Sequence, residues 1–226
     1  MFPKYDGARF TAKQIFHFLL ASKSHNLVLA ELSETIQGRR VLLCGAGKSL
    51  KELELLAPDF DIIVGMNGLI REKELSHHFD YFFIEDRAAY DNYIRDDSPN
   101  KKIVTVAGMP GSHDRQLNFI HQYGFPRYLK KPMLGESGKC FFWGGSVAYF
   151  AINVMLCCRA SGIGVLGVDL LSIDAYANPS YHNKDDRILP PDFALARYCL
   201  KSLFFDALVK FPSTVITDLG YGQIFD

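Results

Sequence analysis

Gly45, Gly47 and Ser49 stand in the run VLLCGAGKSLKEL, directly after a short apolar stretch. Two glycines let a backbone turn tightly and approach a ligand closely. A helix starting there would turn free N–H groups and a positive dipole end toward an anion. The chemistry on offer is phosphate binding, with Ala46 inside the turn and Lys48 able to add charge. A bare strand-to-helix turn is the bland alternative. Neither familiar phosphate loop is complete. A Walker A loop needs glycine five residues before the Gly-Lys-Ser, where Leu42 stands. The dinucleotide fingerprint needs a third glycine where Leu50 stands, which argues against a nicotinamide enzyme.

Further along, Asn67 ends an apolar run in GMNG, where an asparagine is either a ligand contact or a turn residue. Asp169 lies between the apolar stretch GIGVLGV and Leu170-Leu171, a costly place for an idle carboxylate. A capping or buried hydrogen-bonding role is the competing reading. Asp86 suits a helix N-cap before RAAYDNY. The stretch LLSIDAYANPSYHNKDDRILPPDF follows Asp169. Loops this long in compact domains are commonly functional lids. It carries Tyr176, Tyr181, His182, Asp185 and Asp186. Histidine titrates near neutrality and suits general-base work. His113, in MPGSHDRQ, is a second candidate, with helix capping beside Asp114 as the alternative. His77 and His78 end a helical pattern and receive no chemistry. Asp59 and Asp61 mimic the D-x-D of metal-dependent glycosyltransferases but precede a strand, so they read as a solvated turn. Asp185 and Asp186 are adjacent and could share Mg²⁺ with a ligand phosphate, but a solvated charged loop is the expected reading.

The elements that must position these residues alternate. TAKQIFHFLLASK and NLVLAELSETI read as two helices, a helical N-terminal extension over residues 1–38. Residues 39–226 then read as one Rossmann-like domain. RVLLCGAG is a buried strand and turn, and Ser49 is placed to cap the helix LKELELLA. DIIVGM, YFFI, KIVTVAG, GIGVLGVDL and STVITDL are further strands. GLIREKELSHH, DRAAYDNYIR, residues 146–161 and the strongly amphipathic PDFALARYCLKSLFFDALVKF are helices. Such alternation implies a mostly parallel sheet with helices on both faces. Ligands of such sheets bind beyond the carboxyl ends of the strands. GAGKS, MNG, EDR and GVDLLSIDAY all fall there.

The segments VLLCGAGKSLKELE, FDIIVGMNG, YFFIEDRAAYDNY and GGSVAYFAINVMLCCRASGIGVLGVDLL together resemble the bacterial lipooligosaccharide sialyltransferases. They resemble equally the related pterin-diphosphokinase-like and motility accessory factor proteins, which share a Rossmann-like core. The resemblance covers residues 40–225. It implies that Gly45, Gly47 and Ser49 receive the phosphate of a nucleotide donor, and that Asn67 and Glu85 contact the donor. Gly145 and Ser146 match a small-residue helix start near the nucleotide, and Asp169 matches the acidic residue ending the fifth strand. Tyr176 and Tyr181 would steady the leaving phosphate, and His182 would deprotonate the acceptor hydroxyl. This chain departs from the pattern at Lys48, where proline is usual, at Gly68, where a polar residue is usual, and in the position of His182.

Composition narrows the classes. The chain has 226 residues, enough for one domain with a sizeable core. Lys plus Arg number 25 and Asp plus Glu number 25, so no basic field exists to grip a nucleic-acid polymer. Cys44, Cys140, Cys157, Cys158 and Cys199 form no C-x-x-C pair, and buried thiols are expected. SVAYFAINVMLCC is too short to span a bilayer, and MFPKYDGARF lacks a signal-peptide pattern; a cytoplasmic protein is expected. The function expected is a nucleotide-sugar-dependent glycosyltransferase with a CMP-sugar donor and a small-molecule or glycan acceptor. It requires no metal, because tyrosine hydroxyls and helix N–H groups can stabilise the phosphate. One alternative is a 6-hydroxymethylpterin diphosphokinase-like enzyme using ATP and Mg²⁺. Another is a non-catalytic nucleotide-binding protein. No acceptor-binding domain is visible in so short a chain, and a homo-oligomer would be one way to supply it.

Overall fold

The computed structural model describes residues 25–72, 74–85, 102–106, 115–117, 119–120, 141–142, 146–169, 190–221 and 224. A seven-stranded sheet, parallel throughout, organises them, in the order β5-β4-β3-β2-β1-β8-β9. Its strands are β1 (Arg40–Cys44), β2 (Ile62–Met66), β3 (Tyr81–Ile84), β4 (Lys102–Val106), the two-residue β5 (Gln116–Leu117), β8 (Gly162–Leu166) and β9 (Val215–Asp218). β6 (Phe119–Ile120) and β7 (Phe141–Phe142) form a separate parallel pair. This is an α/β fold of Rossmann-like type, as the alternation of elements predicts.

The strands form where the sequence is apolar without interruption. RVLLC, IIVGM, YFFI and GIGVL are buried almost throughout, as strands covered on both faces must be. The edge strand VITD alternates instead, with Val215 and Thr217 exposed and Ile216 buried.

Alternation of side chains sorts the helices by face. Phe83 of β3 meets Phe150 of helix α3 (Val147–Cys157). Tyr81, on the same face, reaches Thr35 of helix α1 (25–36). The longest helix among the described residues, α4 (Pro190–Lys210), packs on α3. The opposite face carries short turns: 3₁₀ segments at Lys48–Glu52, Ala57–Asp59, Asn67–Arg71 and Ser76–His78, and the four-residue helix α2 (Leu53–Leu56). Glycines make room there for aromatic rings. A side chain at Gly65 would strike Phe82, and one at Gly164 would strike Phe60 and Leu219. GLIREKELSHH is thus not one α-helix but two 3₁₀ turns. TAKQIFHFLLASK and DRAAYDNYIR lie outside the described residues.

Val28, Leu32 and Ile36 of α1 join the core, beside Leu42, Leu43, Val64, Phe83, Phe150 and Leu203. Cys44, Cys158 and Cys199 are buried and free, and Cys157 is half-buried; Cys140 is outside the described residues. Burial pushes the thiols of Cys158 and Cys199 up to about 11 and that of Cys44 higher still, so they behave as core residues. α4 is less one-sided than its sequence pattern promises. Ala196, Leu200, Leu203 and Ala207 are buried, yet Tyr198, Phe205, Leu208 and Val209 are exposed. Among the described residues no helix is long and apolar enough to cross a membrane.

Candidate functional site

The chain order fixes where a ligand belongs. From β1 the sheet grows one way through β2, β3 and β4, then returns to the other side of β1 as β8 and β9. The reversal lies between β1 and β8, and crevices at such reversals, beyond the carboxyl ends, are the ligand sites of open α/β sheets. The glycine turn Gly45–Ser49 leaves β1 at that point, and Gly167–Asp169 leaves β8 beside it.

The two turns are locked together. Gly45 N–H donates to the Leu166 carbonyl and Gly47 N–H to the Gly167 carbonyl, each at 2.7 Å. Gly167 takes a left-handed φ of 67°, which glycine adopts without strain. The approach is so close that a Cβ on Gly45 or Gly167 would collide with the other's backbone carbonyl. Asp169 is 2% exposed. Its Oδ2 accepts from the Ser49 N–H at 3.0 Å. Its Oδ1 accepts from the Ser49 hydroxyl at 2.6 Å and from the Tyr221 N–H at 3.0 Å. Ser49 Oγ in turn accepts from the Gly167 N–H at 2.8 Å.

Ser49 is therefore not the helix cap that its position suggests. Gly47 is the N-cap, the following turn is 3₁₀, and the buried hydroxyl of Ser49 is committed to Asp169 and Gly167. The buried hydrogen-bonding role weighed for Asp169 is the one its geometry displays. Lys48 is exposed and Ala46 half-buried at the rim of the turn.

The neighbouring strand ends differ. Asn67, just past β2, sits at φ 48°, left-handed backbone for a non-glycine residue. Its Oδ1 is buried and has no hydrogen-bond partner among the described residues. Glu85, just past β3, is 7% exposed. Thr105, near the end of β4, is fully buried, and its Oγ1 has no partner among the described residues. Thr105 pairs in register with Ile84, and the β2–β3 register, continued by one residue, puts Asn67 on the same row. Thr105 escaped the sequence reading. Its signal was a lone hydroxyl inside the apolar run KIVTV.

The remaining candidates spread out. Ser146 caps α3, its Oγ accepting from the Tyr149 N–H at 3.3 Å. His77 and His78 stack on each other in a 3₁₀ turn, ring centres 4.0 Å apart. Asp61 accepts from the Arg40 N–H at 2.8 Å. It lies at the amino ends of the strands, away from the crevice. Gly145, Tyr176, Tyr181, His182, Asp86, His113, Asp185 and Asp186 lie outside the described residues. Among the described residues no three His, Cys, Asp or Glu side chains gather as a metal site would require.

Past β9, Gly220 and Tyr221 close over the site. Gly220 packs against Asp169 and Ser49. The Tyr221 hydroxyl reaches Glu52 at 3.0 Å, and Lys51 lies over its ring.

The fold and crevice together define an α/β protein of Rossmann-like type. Comparison with protein-family models, curated proteins and solved structures finds no match to carry the assignment further.

Proposed function

We propose that this chain is a nucleotide-dependent transferase that binds its donor across the carboxyl ends of β1, β2 and β3. In its fuller form the proposal is a sialyltransferase-like enzyme of the cytoplasm, taking a CMP-sugar as donor and a small-molecule or glycan as acceptor. The observation that carries it is Asn67. A buried acceptor without a donor costs about 1–3 kcal/mol, and left-handed backbone adds strain at a non-glycine residue. Both costs fall on one residue beside the topological switch point, where a donor molecule's N–H or O–H would relieve the first.

In this reading Gly45 and Gly47 let the turn approach the ligand, and Lys48 with the Ala46 backbone meets its phosphate. Ser49 and Asp169 shape the turn from beneath. Asn67 and Glu85 orient the nucleoside, and Gly145 and Ser146 lie near it as the resemblance implies. Tyr176, Tyr181 and His182 supply departure of the nucleotide and deprotonation of the acceptor, as the family resemblance implies. No step requires a metal.

A second reading has an observation of its own. The Asp169 carboxylate already occupies the Ser49 N–H, one of the groups a phosphate would use. The turn would then be purely structural, and the chain a binding protein without catalysis.

The test is a thermal-shift panel of CMP, CDP, UDP, GDP and ATP, each with and without Mg²⁺. A ligand at a hundred times its Kd stabilises by about 2.7 kcal/mol. For a chain of this length that is roughly 5–11 °C. A shift with CMP that ignores Mg²⁺, and disappears in Asn67→Ala, supports the proposal. A shift confined to ATP with Mg²⁺ moves the assignment to diphosphate transfer. No shift with any nucleotide on a folded sample sinks it.

A further inference from the structure

Two separate segments converge on one buried carboxylate. From the glycine turn, Ser49 gives Asp169 both its N–H and its hydroxyl. From the chain's last stretch, Tyr221 gives its N–H to the same Oδ1 that accepts the Ser49 hydroxyl. Each segment also carries a glycine that clears the carboxylate. A Cβ on Gly47 would come within 2.5 Å of Oδ2, and one on Gly220 within 2.9 Å of Oδ1. Sequence separation makes the convergence informative, since 120 residues part Ser49 from Asp169 and 52 part Asp169 from Tyr221.

The C-terminal stretch is itself tied down on both sides of this contact. Asp218 at the end of β9 receives the Gly220 N–H at 2.9 Å and the Ile224 N–H at 2.6 Å, and Ile224 is fully buried. Residues 219–221 therefore run as a strap across the turn, held by Asp218 and Ile224 and closed by Asp169.

We propose that Asp169 is a latch, a positioning residue that joins the C-terminal strap to the glycine turn so that the two open and close as one unit. The physical reason is shared acceptance. Displacing the carboxylate strands the buried Ser49 N–H and hydroxyl together with the part-buried Tyr221 N–H, and buried donors left unpaired are costly. Neither segment gains by opening alone. Because such coupling is reciprocal, whatever engages the glycine turn is felt at the strap. The latch is read from the chain's own hydrogen bonds and stands apart from the nucleotide reading.

Native-state hydrogen exchange by NMR on the full chain tests it. In the unmodified protein the Ser49 and Tyr221 amides are expected to share one opening, with opening constants within about threefold of each other. The latch is refuted if Tyr221 opens more than about tenfold more readily than Ser49, because the strap would then fray alone. Two variants give the cross-check. Ser49→Ala, which keeps the N–H but removes the hydroxyl, is expected to speed exchange at Tyr221 by roughly tenfold. Tyr221→Phe, which removes the hydroxyl with its contacts to Glu52 and Lys51 but keeps the N–H, is expected to leave Ser49 unchanged. Tyr221 exchange unmoved by Ser49→Ala also overturns the proposal. If nucleotides bind nowhere while the two amides still open together, the latch stands and only the transferase reading falls.

Discussion

The strands that flank the topological switch point and the strand ends next to them treat their polar groups in opposite ways. On the side of β1, β8 and β9, Ser49, Asp169 and Asp218 are each engaged by hydrogen bonds at 2.6–3.0 Å. On the side of β2 and β4, Asn67 Oδ1 and Thr105 Oγ1 are buried with nothing to bond among the described residues. The glycine turn looks most like a ligand cradle in the sequence, yet much of its chemistry is spent holding its own chain. The strand ends beside it look ordinary and carry the unmet demand. A glycine-rich turn serves two purposes, close approach to a ligand and close approach to another piece of backbone, and only the neighbours decide which.

That contrast makes opposite predictions for substitutions on the two sides. The largest effect belongs to the closed side. Gly45→Ala drives a methyl into the Gly167 carbonyl, which is backbone and cannot move aside. The expected loss is about 3 kcal/mol, the upper end for overpacking; for a chain of this length it lowers Tm by roughly 6–12 °C. A Gly45→Ala protein that melts with the wild type would show that the two turns are not locked.

Asp169→Ala comes next. It leaves three donors without their acceptor, for an expected cost of about 2–3 kcal/mol in chemical denaturation. Asp169→Asn keeps one side-chain oxygen and should lose less. If the two variants lose the same amount, hydrogen bonding to Oδ1 is not what the residue contributes.

How legible all this was in the sequence follows from the range of the forces involved. The strands declared themselves because both their faces are buried, which forces unbroken apolar runs such as RVLLC and YFFI. α3 was equally readable as an apolar helix within residues 146–161, although it ends at Cys157 and the capping role of Ser146 was not foreseen. The 3₁₀ turns at Asn67–Arg71 and Ser76–His78 were not. Their apolar residues fit helical spacing, and only packing against a sheet face with Gly65 and Phe82 keeps them short. β5 was too brief to leave a pattern. Asp169 was legible as a carboxylate needing partners. That the partners are Ser49 and Tyr221 is a tertiary fact spanning the chain. The left-handed backbone at Asn67 and the isolation of Thr105 have no sequence signature beyond residue type.

On the open side the sign reverses. Asn67→Gly removes the unpaired oxygen and accepts φ 48° without strain. The variant is expected to be about 0.5–1 kcal/mol more stable than the wild type, after the added flexibility of glycine in the unfolded chain is set against these gains. It should also lose whatever nucleotide-induced shift the wild type shows. Greater stability with binding intact would remove Asn67 from the site. Lower stability would mean that its amide is better satisfied than its surroundings indicate.

Thr105→Val gives the smallest effect and the cleanest comparison, because valine keeps the shape and replaces only the hydroxyl by a methyl group. A threonine bonded in a core loses stability on this change, since a partner is left behind. Here no partner exists among the described residues, so the expected outcome ranges from no change to a gain of up to about 1 kcal/mol. Thr105 shares its strand row with Ile84, an apolar neighbour that tolerates the methyl. Denaturation midpoints of wild type, Thr105→Val and Asp169→Asn, taken in one series, put the two sides on one scale. Loss at Asp169 with none at Thr105 is the pattern of a closed turn beside strand ends that await a ligand. Loss at both would mean that Thr105 has an internal partner, an ordered water included, and that the open side is as self-sufficient as the closed one.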